Sequence, residues 1–240
     1  MLNSDTDIYK VLVVEDNHSI LRLVKLALEQ AGYDTTAVAS GEAALEHIKR
    51  HGLPHIAVVD INMPPGMDGF EFCEAVHEFS DLPVVMLTAI DNEEVVIEAI
   101  EQHAEDYITK PFRPGELVAR VGRVLRRVGD FAYALGRQIQ VDDRLSVDFA
   151  AREVVLNGEE VSLTPTEAKL LYILMRNAGQ IVTANFVIRR LWPMEGVQED
   201  RLRVYVHRLR KKIEKDSTEP YYIHSERGIG YMFVRGTTNE

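Results

Sequence analysis

The first 127 residues alternate between two hydrophobic periods, and few folds accommodate that alternation. Apolar runs rich in β-branched residues stand at 8–15 (IYKVLVVE), 34–39 (DTTAVA), 55–61 (HIAVVDI), 82–89 (LPVVMLTA) and 105–109 (EDYIT), each long enough for one strand. Stretches with apolar residues at helical spacing follow them at 19–30, 41–52, 68–79, 92–103 and 114–127. Gly32 stops the first of these, and Pro114 opens the last. Five strands alternating with five helices predict a doubly wound α/β layer: a parallel sheet covered by helices on both faces. Ligands of such sheets bind at the carboxyl ends of the strands, where the strand order reverses.

The rhythm breaks after residue 128. The mixed stretch 129–137 reads as a linker between a first domain at 1–128 and a second at 138–240. Residues 139–163 predict three or four short antiparallel strands with a turn at NGEE. Helices are expected over 163–179, 183–192 and 199–215, and a glycine-turned pair of strands over 221–234. The first of these helices has a clear start: Thr164 can cap, Pro165 takes the first position and Glu167 completes a capping box.

Charge divides the chain at the same place. Residues 1–130 carry 11 Lys and Arg against 23 Asp and Glu, a net of −12, whereas 131–240 carry 16 against 15, a net of +1. The acidity of the whole chain therefore does not argue against nucleic acid, because the halves differ. A single cysteine, Cys73, excludes an intrachain disulfide and fits a reducing compartment. No apolar run approaches the ~18 residues of a membrane span, and MLNSDTDIYK has no signal-peptide pattern. A cytoplasmic protein without membrane contact is expected.

Strand ends in the first half carry polar groups where apolar ones would pack. The first strand ends in Glu15-Asp16, the third in Asp60, the fourth in Thr88, and the fifth is followed by Lys110-Pro111. In a parallel sheet these ends share one edge. Three converging carboxylates repel one another and call for a proton or a cation. Hard oxygen ligands suit Mg²⁺, and a lysine and a hydroxyl beside them suit a phosphoryl group. Asp60 is then a candidate nucleophile that becomes an aspartyl phosphate. The prolines and glycines of MPPGMDG shape the loop beside it. Each residue alone reads as a loop acid, a strand-end hydroxyl or a surface lysine; jointly they read as a site.

The pieces VVEDN, VVDINMP, MLTA and DYITKPF resemble the receiver domain of two-component response regulators, over residues 8–127. The resemblance implies a flavodoxin-like receiver with Asp60 as phosphoacceptor. It implies Asp16 as the direct metal ligand, Glu15 acting largely through water, and Asn62 as a ligand through its carbonyl. Thr88 and Tyr107 correspond to the switch residues, Lys110 to the phosphate-binding lysine, and Lys110-Pro111 to a cis peptide. Two features depart from the pattern. The loop PPGMDG is one residue longer, and Ile90, two after Thr88, is an apolar neighbour for the water that would hydrolyse a phosphoaspartate.

Residues 201–215 hold seven cations, Arg201, Arg203, Arg208, Arg210, Lys211, Lys212 and Lys215, against the single acid Glu214. Leu202, Val206, Leu209 and Ile213 mark the packing side, so the remaining faces present positive charge suited to a major groove. The hairpin SERGIGY places Ser225 and Arg227 at a glycine-framed tip suited to a minor groove. LTPTEAKLL, LW, HRLRKKI and RGIGY resemble the winged-helix DNA-binding domain of the OmpR/PhoB subfamily, over 138–235. By position, Arg201, Arg203, Tyr205, His207, Arg208, Arg210, Lys211, Ser225 and Arg227 are expected at DNA. Arg203 and Tyr205 stand where the subfamily commonly shows Asp and His. Arg203 reads either as a bidentate guanine contact or as a phosphate contact.

The subfamily dimerises its receivers through crossed acid–base pairs, and Asp106, Glu116, Arg120 and Arg123 keep part of that pattern. The stretch 92–103 contains no Lys or Arg, and Val95 and Val96 add apolar surface, so a dimer contact that includes Val96 and is weaker, more apolar or differently partnered is expected. The reading is a DNA-binding response regulator, not an enzyme acting on other substrates. A sensor histidine kinase phosphorylates it with Mg²⁺, a homodimer then forms on tandem sites of double-stranded DNA, and RNA polymerase is a further expected contact. The competing reading, a Mg²⁺-dependent aspartyl-phosphate phosphatase, usually needs an acid two residues after the nucleophile, where this chain has Asn62.

Overall fold

The computed structural model describes residues 8–89, 104–128, 135–193 and 198–234. The chain divides into two compact units, the first built mainly from residues before 130 and the second mainly from those after it.

The first unit contains β1 (Lys10–Val14), α1 (His18–Gln30), β2 (Asp34–Val38), α2 (Gly41–His51), β3 (Ile56–Asp60), α3 (Gly69–His77), β4 (Val84–Thr88), β5 (Asp106–Thr109) and α4 (Pro114–Val128). The strands form one parallel sheet in the order β2-β1-β3-β4-β5, so the order reverses between β1 and β3. β3 and β4 are buried at every residue, as strands covered on both faces must be. Val11, Val13, Ile56, Val58, Val85, Leu87 and Ile108 pack on one face against Val24 and Leu28 of α1 and Leu117, Val121, Val124 and Leu125 of α4. The alternate strand residues, Leu12, Val14, Val59 and Met86, are equally buried, which requires cover on the second face. Ala44, Ile48, Phe72, Cys73 and Val76 of α2 and α3 are buried too. α1 starts at Asn17, whose side chain accepts from the Ser19 and Ile20 amides at 3.0 and 3.3 Å. The helix expected over 92–103, with Val95 and Val96, and the Ile90 position lie outside the described residues.

The second unit begins with an antiparallel sheet in the order β6-β7-β8-β9 (Ile139–Gln140, Leu145–Asp148, Glu153–Leu156, Glu159–Ser162). The expected turn joins β8 and β9 through Asn157 and Gly158, both at positive φ (52° and 87°), as a two-residue type I′ turn requires. Three helices follow: α5 (Pro165–Arg176), α6 (Ala184–Leu191) and α7 (Glu199–Ile213). The capping box of α5 is closed: Glu167 accepts from the Thr164 amide at 2.9 Å, and Thr164 Oγ1 accepts from the Glu167 amide at 3.4 Å.

Where two terminal strands were expected, the sheet has three, in the order β10-β12-β11 (Ile181–Thr183, Gly230–Phe233, Ile223–Glu226). Thr183, read as the first residue of a helix, ends β10 and caps α6 by accepting from the Phe186 amide at 3.3 Å. Gly230 is required where β12 crosses β10, because a Cβ there would lie 2.0 Å from the Val182 carbonyl oxygen.

Candidate functional site: an acidic pocket and a cationic helix with its hairpin

The register of the parallel sheet assembles the acidic pocket. Val14 pairs with Val59, which brings the next residues, Glu15 and Asp60, level at the switch in strand order. Thr88 ends β4 opposite Thr109, and the Lys110 amide donates to the Thr88 carbonyl at 2.6 Å. Carboxylate oxygens of Glu15, Asp16 and Asp60 all lie within 4.8 Å of one another. Glu15, Asp60 and Thr88 are buried, Asp16 is half-buried, and Asn62 is exposed. Lys110 Nζ reaches between two of the acids, 2.6 Å from Glu15 Oε2 and 2.8 Å from Asp60 Oδ2.

Three carboxyl groups around one ammonium leave an excess of negative charge in a buried place. Burial pushes the Glu15 carboxyl above its ordinary range and the Asp60 charge adds to this, while Lys110 and the Asn17 amide pull against both. Burial pulls the Lys110 ammonium down, but its hydrogen bonds and charge contacts with Asp60 and Glu15 outweigh this and raise it. A cluster of hard carboxylate oxygens with unbalanced charge fits an oxygen-seeking divalent cation.

The loop after Asp60 turns sharply back. Gly69 donates to the Ile61 carbonyl at 3.0 Å, and a Cβ on Gly69 would lie 2.3 Å from the Asp60 carbonyl oxygen. The longer loop rests on α2, where Glu42 accepts from the Met67 amide at 2.8 Å. Pro64-Pro65 and Lys110-Pro111 are both cis; the second was expected. Tyr107, expected as a switch residue, is 44% exposed. Asp106, Glu116, Arg120 and Arg123 pair within the chain: Arg120 lies 3.1 Å from Asp106 and 2.9 Å from Glu116, and Arg123 also binds Asp106. Val96, expected in the same surface, lies outside the described residues.

In the second unit, α7 buries Leu202, Val206, Leu209 and Ile213, as its apolar spacing predicted. A groove of about 320 Å³ between this helix and the β11–β12 hairpin is lined by Glu199, Arg203, His207, Arg210, Glu226 and Arg227, among others. Arg203, His207, Arg208, Lys211, Ser225 and Arg227 are exposed, and Tyr205 is half-buried. Arg201 lies over the Trp192 ring at 4.6 Å, and Arg208 over Tyr205 at 5.5 Å. Arg203 pairs with Asp200 at 3.2 Å and Glu199 at 3.6 Å.

Two cations of this helix are directed into the fold. Lys212 donates to Glu167 at 2.7 Å and to the Ser162 carbonyl at 2.8 Å. Arg210, expected at DNA, is half-buried and donates to the Ile223 carbonyl and to Ser225 Oγ. Reasoning from sequence also missed Glu214, whose buried carboxylate accepts from the Tyr221, Tyr222 and Ile223 amides. Its one visible signal was isolation as the sole acid of the cationic run.

Comparison with known proteins decides what these two surfaces belong to. The response regulator receiver domain family matches residues 11–122, and the family of transcriptional regulatory protein C-terminal domains matches 158–233. The DNA-binding response regulator MtrA of Mycobacterium bovis and Mycobacterium tuberculosis is 37% identical over 228 residues, covering 95% of this chain and 97% of the relative. The chain belongs to the DNA-binding response regulators of the OmpR/PhoB type. The sensory transduction protein RegX3 of Mycobacterium bovis is likewise 37% identical, over 222 residues that cover 92% of this chain and 97% of RegX3. Among solved structures, the response regulator DrrB, a Thermotoga maritima OmpR/PhoB homolog, is 32% identical with a TM-score of 0.45, covering 95% of this chain and 99% of DrrB. As a response regulator, the chain couples a receiver of two-component signalling to a DNA-binding unit that controls transcription. It is not a separate catalyst of metabolism. None of the described helices is long and apolar enough to cross a membrane.

Proposed function

We propose that Asp60 is the phosphoacceptor of this response regulator and that a sensor histidine kinase is the donor. A carboxylate oxygen of Asp60 attacks phosphorus, the P–N bond of the kinase phosphohistidine breaks, and the imidazole leaves with a proton from solvent. The observation that carries this reading is the placement of Lys110 Nζ 2.8 Å from Asp60 and 2.6 Å from Glu15, beside a third carboxylate. Lys110 and the Thr88 hydroxyl are the donors for the phosphoryl oxygens that Asp60 gains. Glu15, Asp16, Asp60 and the Asn62 carbonyl would hold Mg²⁺, which would supply the positive charge that a phosphoryl group needs among these acids.

The domain limits that fit this reading are 1–128 for the receiver, 129–137 for the linker and 138–240 for the winged helix. Phosphorylation moves Thr88 and Tyr107, the receivers pair into a homodimer through the surface that contains Asp106, Glu116, Arg120, Arg123 and Val96, and two winged helices engage tandem duplex sites. Arg203, Tyr205, His207, Arg208 and Lys211 face the major groove with Arg201 at its edge, and Ser225 and Arg227 approach the minor groove. RNA polymerase is the partner at the promoter, and the protein works in the cytoplasm.

The test is acid-labile labelling with acetyl phosphate and Mg²⁺, followed by mapping of the modified residue. Label on Asp60 that is lost with a chelator is the expected result. Full labelling of Asp60→Asn under the same conditions would overturn the assignment.

A further inference from the structure

The cation and the acid that the DNA surface leaves over, Arg210 and Glu214, stand one turn apart at the end of α7 and grip the same residue. The Arg210 guanidinium donates to the Ile223 carbonyl from Nε at 3.0 Å and from Nη2 at 2.6 Å, and from Nη2 to Ser225 Oγ at 2.9 Å. The Glu214 carboxylate accepts from the amides of Tyr221 at 2.8 Å, Tyr222 at 2.9 and 3.1 Å, and Ile223 at 2.9 Å. Ile223 is therefore held at its N–H by the acid and at its carbonyl by the base. It opens β11, an edge strand of the sheet, whose outward backbone groups have no neighbouring strand among the described residues. The same strand leads into the hairpin tip that carries Arg227.

The bonds occupy Nε and Nη2 of the guanidinium, and a phosphate contact that drew on these donors would leave the carbonyl of a fully buried residue without its partner. Glu214 is 6% exposed and negative, so it has no use at a phosphate surface. We propose that Arg210 and Glu214 are positioning residues that fix the hairpin against the recognition helix, so that Arg227 and the outward cations of α7 engage one duplex together. Neither touches DNA; both act through the register of β11. This inference rests on the reading of α7 and the hairpin as the DNA surface.

The distinguishing measurement is a double-mutant cycle on the full chain. The probe is a labelled duplex that the parent chain selects from a random pool, and the readout is Kd by fluorescence anisotropy. Arg227→Ala should weaken binding about tenfold in the parent but about twofold or less in an Arg210→Ala background, because a loosened hairpin has already lost that contact. Lys211→Ala, on the outward face, should cost the same factor in both backgrounds. Glu214→Gln, which keeps an oxygen acceptor, should bind between the parent and Glu214→Ala. Equal losses from Arg227→Ala in both backgrounds would overturn the positioning role. If Arg210→Ala loses its circular dichroism signal, Ser225→Ala takes its place in the cycle: partial coupling to Arg227→Ala supports the proposal, and strict additivity overturns it. A parent chain that binds no duplex would overturn the DNA surface itself, whereas additive losses on a parent that binds overturn only the positioning role.

Discussion

The acidic pocket and the cationic helix handle charge in opposite ways. In the pocket, Glu15 and Asp60 are buried with a single ammonium between them, and the excess negative charge has nowhere to spread. On α7 the cations outnumber the acids, yet several are engaged locally: Arg203 with Asp200 and Glu199, Arg210 with β11, Lys212 with Glu167. Concentrated buried charge makes a site that one ion or one phosphoryl group changes greatly. Dispersed and partly paired charge makes a surface on which single contacts matter moderately and the sum sets affinity. The first region should therefore respond to substitution in steps, the second in increments.

The largest effect expected is at Lys110. Lys110→Met removes the cation between Glu15 and Asp60, so the burial and the Asp60 repulsion that raise Glu15 lose their main opponent. Asp60 should still label with acetyl phosphate, but phosphorylation should no longer change DNA affinity, because the phosphoryl group lacks the donor that links it to β5. Anisotropy titrations with and without phosphorylation check this. A phosphorylation response as large as that of the parent would place the coupling elsewhere.

The winged helix sharpens the comparison next. Arg227→Ala should weaken binding to all duplexes and reduce the salt slope by about one ion. Arg203→Ala should instead relax the preference at one base pair by about 1–3 kcal/mol if it reads a guanine. Selection from a random pool with each variant separates the two. Uniform weakening by both would reduce Arg203 to a phosphate contact.

The two regions were also legible to different degrees, and for different reasons. The pocket was readable because a strand buried on both faces tolerates a carboxylate only at its end, so Glu15, Asp60 and Thr88 stood out against their own runs. Their convergence then followed from the direction of parallel strands. On α7 the pattern separated the packing residues Leu202, Val206, Leu209 and Ile213 from the rest, but a helical period cannot say what a long side chain on the remaining faces touches. Arg210 turns to β11, the next element of the chain, and Lys212 to α5, 45 residues back in sequence. β10 was missed because three residues carry too little alternation, and because Thr183 ends the strand and caps the helix at once. Tyr107 was read as a switch position, a role compatible with a core tyrosine, and its side chain is exposed, which an apolar period alone does not foretell.

Lys212 gives a pH-dependent test in the second unit. Burial works to raise the Glu167 carboxyl, but the Lys212 ammonium and the Thr164 amide and hydroxyl outweigh it and leave it lowered. A carboxylate lowered in the folded state contributes stability above its unfolded pKa, near 4.3, and that contribution is lost as the pH falls through the folded value. Glu167→Gln, which can still accept from the Thr164 amide, should therefore cost about 1–3 kcal/mol at neutral pH, from the lost charge-assisted bond to Lys212. It should cost progressively less in acid. Chemical denaturation across pH checks this, and a penalty that stayed constant down to strong acid would show that packing, not charge, is what Gln fails to replace.

The smallest effect expected is of salt on receiver pairing. Arg120 and Arg123 already have a shared acid, Asp106, within the same chain, and Arg120 also holds Glu116. A dimer that crossed these pairs would exchange one set of partners for another and make few new ones. Exposed ion pairs contribute only about 0–1 kcal/mol each and are screened by salt. Apolar surface contributes about 25 cal/mol per Å² and is not screened in that way. The stretch 92–103 has no cation to cross with an acid and carries Val95 and Val96. Sedimentation of the beryllofluoride-treated full chain should therefore show a dimer that changes little between low and high salt and weakens with Val96→Lys. Steep dissociation in salt, with Val96→Lys silent, would move the energy of assembly back to Asp106, Glu116, Arg120 and Arg123. The first unit would then pair, like the second, through dispersed charge.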